Sequence, residues 1–202
     1  MTVSSTTLIA MGLYALSLSI SPGPVNMIAL NNGVNHGLRK ALPFVSGATL
    51  GFALLLLLTG LGLGSLAKQF PQALQLLGYA GAAFICYIGY QISRSDAALE
   101  HSQDSSSSFL HGALLQWLNP KAWIACLSAI TAFNLGDTDQ LLLFTGLYFL
   151  ICYASIGSWA LAGDKISQLL STTENRRWFN RIMGGMLITV GGYLGIMLLS
   201  GG

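Results

Sequence analysis

Six stretches of this chain, at about 7–34, 41–66, 72–92, 109–133, 140–163 and 179–200, each run for more than 20 residues with at most one Lys, Arg, Asp or Glu. A helix needs about 20 mostly apolar residues to cross the hydrocarbon of a bilayer. The six stretches take up most of the 202 residues and leave only short connections, with no room for a separate soluble domain. Charged residues make up 8% of the chain, against roughly 25% in an ordinary soluble domain. A water-facing surface cannot be built from so few. A β-barrel would instead alternate polar and apolar residues in segments of about ten, and 52–59 (FALLLLLT) does not alternate. The expected fold is an all-α integral membrane protein with six transmembrane helices, a single membrane domain over 1–202. Nothing basic precedes the first stretch and it is too long for a signal core, so it is expected to be retained.

Orientation follows from the cations. Arg39, Lys40, Arg94, Lys165, Arg176, Arg177 and Arg181 fall in loops on one side; Lys68 alone falls on the other, and Lys121 lies within span four. Cationic loops stay cytoplasmic, which predicts both termini outside the cytoplasm. The net charge of +2 therefore reflects topology, and no nucleic-acid partner is expected. The basic segment 174–181 (ENRRWFNR) reads as an anchor to anionic lipid.

The stretch 93–108 (SRSDAALEHSQDSSSS) is the least apolar and reads as a flexible cytoplasmic linker. It separates a first repeat at about 1–95 from a second at about 109–202, with three spans in each. Three is odd, so the halves enter the membrane from opposite faces, as inverted repeats of secondary transporters do. The first span of each half is interrupted at mid-depth, one by Ser21, Pro22, Gly23 and Pro24, the other by Asn119 and Pro120. Proline removes an amide donor and displaces the carbonyl one turn earlier. Backbone freed in this way is tolerated only where protein, water or a cavity supplies partners. Matching breaks in two halves point to a central binding site; simple kinks between packed helices are the plainer alternative.

Lys121 directly follows the second break and is the one charged residue deep inside a span. An intramembrane cation costs roughly 2.5–3.5 kcal/mol on insertion scales and is a functional candidate by default. It could hold substrate or proton, or else cap free carbonyls or snorkel to an interface. Asn26, just past Pro24, could receive a carboxylate together with exposed backbone N–H groups, or bond across helices. Gln116 and Asn119 flank the second break, while Asn31 and Asn32 sit nearer the cytoplasmic end. Asp164, beside Lys165, reads as a solvated terminus more than a proton carrier. The spacings Gly47/Gly51, Gly60/Gly64 and Gly191/Gly195 read as close helix packing. Trp117, Trp123, Trp159 and Tyr87 could line a cavity or fill interfaces. Cys86, Cys126 and Cys152 show no paired spacing and read as small buried residues. His36, His101 and His111 form no ligand pattern, so neither a metal nor another cofactor is expected. No phosphate-loop motif occurs, so any pumping must draw on an ion gradient or a partner.

The order S-P-G-P-V-N-M-I-A-L, H-G-L-R-K, G-A-T-L-G-F and, in span four, L-N-P-K resembles the LysE/RhtB family of amino-acid exporters over nearly the whole chain. A-G-A-A-F at 80–84 and W-A-L-A-G at 159–163 look most like the branch that exports cysteine and O-acetylserine. The resemblance implies six helices in two inverted halves, a bacterial inner membrane, export by proton antiport, and room for a homo-oligomer. It carries the family motif onto Pro22, Gly23, Pro24 and Asn26, and its counterpart onto Asn119, Pro120 and Lys121. Many members have Asp or Asn after the second proline where this chain has Val25. The missing carboxylate disfavours cationic substrates, favours small neutral amino acids or their derivatives (homoserine, threonine, cysteine or O-acetylserine type), and leaves the proton-coupling residue unassigned.

The leading expectation is therefore a non-enzymatic exporter working by alternating access, with the substrate carboxylate near Lys121 and its ammonium near exposed carbonyls. A thiol-disulfide electron conduit would need paired cysteines at the breaks, and the first break has none. An accessory subunit without transport would need a recognition surface, and the loops offer little beyond 174–181.

Overall fold

Prolines and short polar caps set most of the helix starts. The computed structural model describes residues 4–63, 69–95, 108–170 and 172–200, and among these every regular element is a helix. Lys68, His101, Gly64 and most of the 93–108 linker lie outside the described residues. Helix α1 (Ser5–Ile20) is capped by the Ser4 hydroxyl, which accepts from Thr7 N–H at 3.1 Å. Helices α2 (Pro24–His36), α4 (Pro71–Arg94) and α6 (Pro120–Ala132) all begin on proline, which lacks only a donor that the first turn would leave unused. Helix α5 (Phe109–Trp117) opens with a capping box between Ser108 and His111. Helix α3 (Leu38–Leu58) runs into a wider turn, Thr59–Leu63, that ends at Gly62 with φ 133°, a conformation glycine adopts without a steric penalty. Helices α7 (Thr138–Ser167) and α8 (Thr173–Ser200) complete the chain.

Four helical segments are long and apolar enough to cross a membrane: Leu38–Leu63, Gln75–Arg94, Thr138–Ser167 and Thr173–Leu199. The pair α1 and α2, bent by 60° at its break, makes a fifth. Helices α5 and α6, expected as a second broken span, have 9 and 13 residues, each too short to cross alone.

Small residues bring the helices together. A Cβ on Gly33 would overlap the Ala160 carbonyl oxygen, and one on Gly163 would overlap that of Leu30, so α2 and α7 touch backbone to backbone. Gly47 and Gly112 do the same between α3 and α5, with Gly51 against the Ala113 Cα. On α4 and α8, Gly89 faces Gly184, and Gly191 faces the Cys86 sulfur. The packing read from Gly47/Gly51 and from Gly191 is thus present, while Gly60 meets the Leu141 side chain. Interfaces of this kind gain from close van der Waals approach where lipid offers no hydrophobic driving force. Large apolar side chains such as Ile9, Leu13, Leu76, Leu150 and Ile196 are exposed on the outside of the bundle.

The cationic ends are gathered at one end of the bundle. Asp164, at the end of α7, accepts from Leu38 N–H at 3.2 Å and so caps α3. This corrects its reading as a solvated terminus: the acceptor serves a helix start 126 residues away in sequence. Asn180 of α8, fully buried, accepts from Asn31 (3.0 Å) and Asn35 (2.8 Å) and donates to Ser95 at 2.9 Å. Arg176 donates to the Val34 carbonyl at 3.3 Å.

Candidate functional site

The first break is a problem in carbonyl accounting. In a helix each carbonyl accepts from the N–H four residues on, so Leu18 would face Pro22 and Ile20 would face Pro24, neither of which has an N–H. Each freed oxygen has a partner here. The Ser21 hydroxyl donates to the Leu18 carbonyl at 3.0 Å, and the Asn26 amide donates to Ser19 (2.7 Å) and Ser21 (3.0 Å). The Trp159 indole reaches across from α7 to the Ile20 carbonyl at 3.0 Å. Gly23 is extended (φ −176°, ψ 173°), and its carbonyl starts α2 by accepting from Met27 N–H at 2.9 Å.

The second break repeats the pattern. Pro120 deprives the Gln116 carbonyl of its donor, and Asn119 N–H takes that place at 3.3 Å. The Trp123 indole donates to the Trp117 carbonyl at 2.7 Å. Asn119 is the N-cap of α6, its side chain accepting from Lys121 N–H at 3.1 Å. Trp123 and Trp159, read as cavity or interface residues, are thus caps for broken helix ends. Trp159→Phe keeps the ring and removes the donor, leaving a carbonyl unmet in an apolar setting. It is expected to lower stability by about 1–3 kcal/mol, seen as an earlier thermal unfolding transition in detergent.

Lys121 joins the two breaks. Its ammonium donates to the Ser21 hydroxyl at 2.7 Å and to the Ser21 carbonyl at 3.2 Å, and among the described residues it meets no carboxylate. An ammonium has three N–H groups, so one remains. The lysine lies along Gly23, where a Cβ would stand 3.4 Å from Nζ. Its partner is the other break, not the one it adjoins.

Between the breaks is a small cavity of about 40 Å³. Gly23, Asn26, Gln116, Asn119 and Lys121 line it, as do Ser19 and, from α3 and α7, Phe52, Tyr148, Cys152 and Ile156. Of the residues singled out in the sequence, Gly23, Asn26, Gln116, Asn119 and Lys121 therefore come together at one cavity. Pro22, Pro24 and Pro120 shape the breaks without lining it. Asn31 and Asn32 line a separate cavity with Asn35, His36, Tyr87, Gln91 and His111. Sequence reasoning missed Ser19, Phe52 and Tyr148, and read Cys152 only as packing. The available signal was the run Thr145, Tyr148, Cys152 and Ser155, which puts four polar or polarisable residues on one face of an apolar span; all four are buried. Cys86, Cys126 and Cys152 are free thiols.

No solved structure matches the chain. Proteins named cysteine/O-acetylserine efflux protein from Escherichia coli (strain K12) and Shigella sonnei (strain Ss046) are each 33% identical to it over 191 residues, covering 92% of this chain and 96% of theirs. One from Escherichia coli O139:H28 is 32% identical over the same extent. The LysE type translocator family model matches residues 16–198. With the family model and these relatives spanning both breaks and the cavity between them, the chain belongs to the LysE type translocator family.

Proposed function

We propose that this chain is a secondary active exporter of small neutral amino acids or their derivatives, driven by the proton-motive force and working by alternating access in a bacterial inner membrane. It moves its solute and is not an enzyme. The observation that carries the reading is the Lys121 ammonium, which crosses from one helix break to the other at the edge of a cavity. Such a site can take a zwitterion: the carboxylate on the remaining Lys121 N–H and the α-ammonium against amide and carbonyl oxygens of the breaks. The names of the relatives support an amino-acid substrate.

The same reading includes six transmembrane helices as two inverted three-helix repeats, α1–α4 and α5–α8. The contact pattern supports it. The broken pair α1 and α2 lies on α7, and the broken pair's counterpart, through α5, lies on α3; α3 meets α7 and α4 meets α8. Exchanging the two halves maps α1 on α7 to α5 on α3 and returns α3 with α7 and α4 with α8, whereas the close packing of α2 on α7 has only a slight counterpart between α6 and α3. The gathered cationic ends support a cytoplasmic placement for that face, with both termini periplasmic.

Purified protein in liposomes tests the function. Cysteine, O-acetylserine, serine, threonine and homoserine are offered with and without an imposed pH gradient. At least one is expected to move, faster with the gradient and accompanied by its partial collapse. If none moves under either condition, the exporter reading is wrong.

A further inference from the structure

One wall of the cavity carries hydroxyls that the zwitterion does not use. In helices, serine commonly bonds a carbonyl one turn back, and Ser17 and Ser21 do so, donating to Tyr14 (2.9 Å) and Leu18 (3.0 Å). Ser19 lies between them on the same chain segment and does not. Its Oγ is buried and unpartnered, in a residue 9% exposed that lines the cavity. Its neighbours are Tyr148 and Cys152, each close enough to interact with its hydroxyl, though neither contact reaches full hydrogen-bond geometry. The Tyr148 ring is held from two sides, stacked on Phe52 with centroids 4.3 Å apart and edge-on to Phe144 at 5.6 Å. Its hydroxyl therefore has a set position. The residues at i, i+4 and i+8 of α7, namely Tyr148, Cys152 and Ile156, form a single stripe along this wall.

We infer that Ser19, Tyr148 and Cys152 form a subsite for the substrate side chain, one that selects a short, uncharged group able to hydrogen-bond, such as a hydroxyl, a thiol or an ester. This rests on the exporter reading above. A charged side chain would find no counter-charge, because among the described residues Lys121 is the one charged residue lining the cavity and is taken by the carboxylate end. An apolar side chain would leave the Ser19 hydroxyl buried without a partner, and sites built to hydrogen-bond a substrate discriminate strongly against analogues that lack the group. Phe52 and Ile156 close the wall and limit side-chain length.

The test compares two amino acids that share a backbone and nearly a shape. Reconstituted wild-type protein is assayed with L-2-aminobutyrate and with the best transported of L-cysteine, L-serine and O-acetyl-L-serine. The polar substrate is expected to have a kcat/KM at least about tenfold higher. In the double variant Ser19→Ala, Tyr148→Phe that ratio is expected to fall toward one, chiefly through the KM of the polar substrate. Ser19→Ala alone, which removes a hydroxyl without a partner and so does not threaten folding, is expected to lower the ratio part of the way. Equal handling of the two substrates by the wild type, or an unchanged ratio in a double variant that runs as a single peak on size exclusion, overturns the subsite alone. Movement of neither amino acid, with threonine and homoserine also unmoved, overturns the exporter reading and the subsite with it.

Discussion

Lys121→Met is expected to give a folded protein that transports at less than about a hundredth of the wild-type rate. A hundredfold loss corresponds to about 2.7 kcal/mol, within the range for truncating one partner of a buried, hydrogen-bonded charge. Two effects act together. The substrate carboxylate loses the one charged group that lines the cavity among the described residues, and the first break loses its tie to the second. Methionine keeps the length and apolar stem, so packing against Gly23 is retained. Ser21→Ala helps to separate the effects, because it removes the 2.7 Å contact, together with the Ser21 bond to the Leu18 carbonyl, and leaves the ammonium on the Ser21 carbonyl; a loss of a few fold is expected. The measurement is initial uptake into liposomes holding equal amounts of protein. Wild-type rates in Lys121→Met would show that the lysine serves only to cap the break, or nothing at all.

The second large effect belongs to the contact between α2 and α7. Gly33→Leu places a Cβ on the Ala160 carbonyl oxygen and 3.0 Å from the Asp164 nitrogen. Both obstacles are backbone, so no side chain can rotate away and the helices must separate. Overpacking costs about 1–3 kcal/mol and sometimes more, and a branched side chain against two rigid backbones belongs at or above the top of that range. The expected result is loss of the monodisperse folded species in detergent, or a collapse of its thermal transition. Gly157→Ala is the control: it is on the same helix α7, has nothing within 4 Å of its Cβ position, and should leave the transition nearly unmoved or slightly raised. Similar transitions for Gly33→Leu and wild type would mean that the two helices do not approach as closely as described.

Several elements were legible because their causes are local. The long apolar runs need no tertiary information, since hydrocarbon requires each span to satisfy its own backbone and tolerates few charges. Pro22, Pro24 and Pro120 likewise announce the breaks, because a missing N–H is a property of the residue. Small-residue spacings anticipated the contacts at Gly47, Gly51 and Gly191. Asp164 was misread, because its neighbour in sequence is Lys165 while its partner is Leu38. Tyr148 and Ser19 went unnoticed for a related reason: a tyrosine or serine within a span is ordinary until its neighbours across the bundle are known.

The sequence by itself determined that this protein is a bundle of membrane helices, that prolines interrupt the helical chain at two places, and that a lysine lies beside one of them. All of that follows from hydropathy, proline and charge, which act over a few residues. The tertiary structure decided where the freed groups go. Lys121 bonds Ser21 across 100 residues and Trp159 bonds Ile20 across 139. Only when α1, α3, α6 and α7 are packed do Ser19, Phe52, Lys121 and Tyr148 face one cavity. A hydrogen bond is settled by distance in space, and sequence separation carries almost no information about it once the helices have folded against one another.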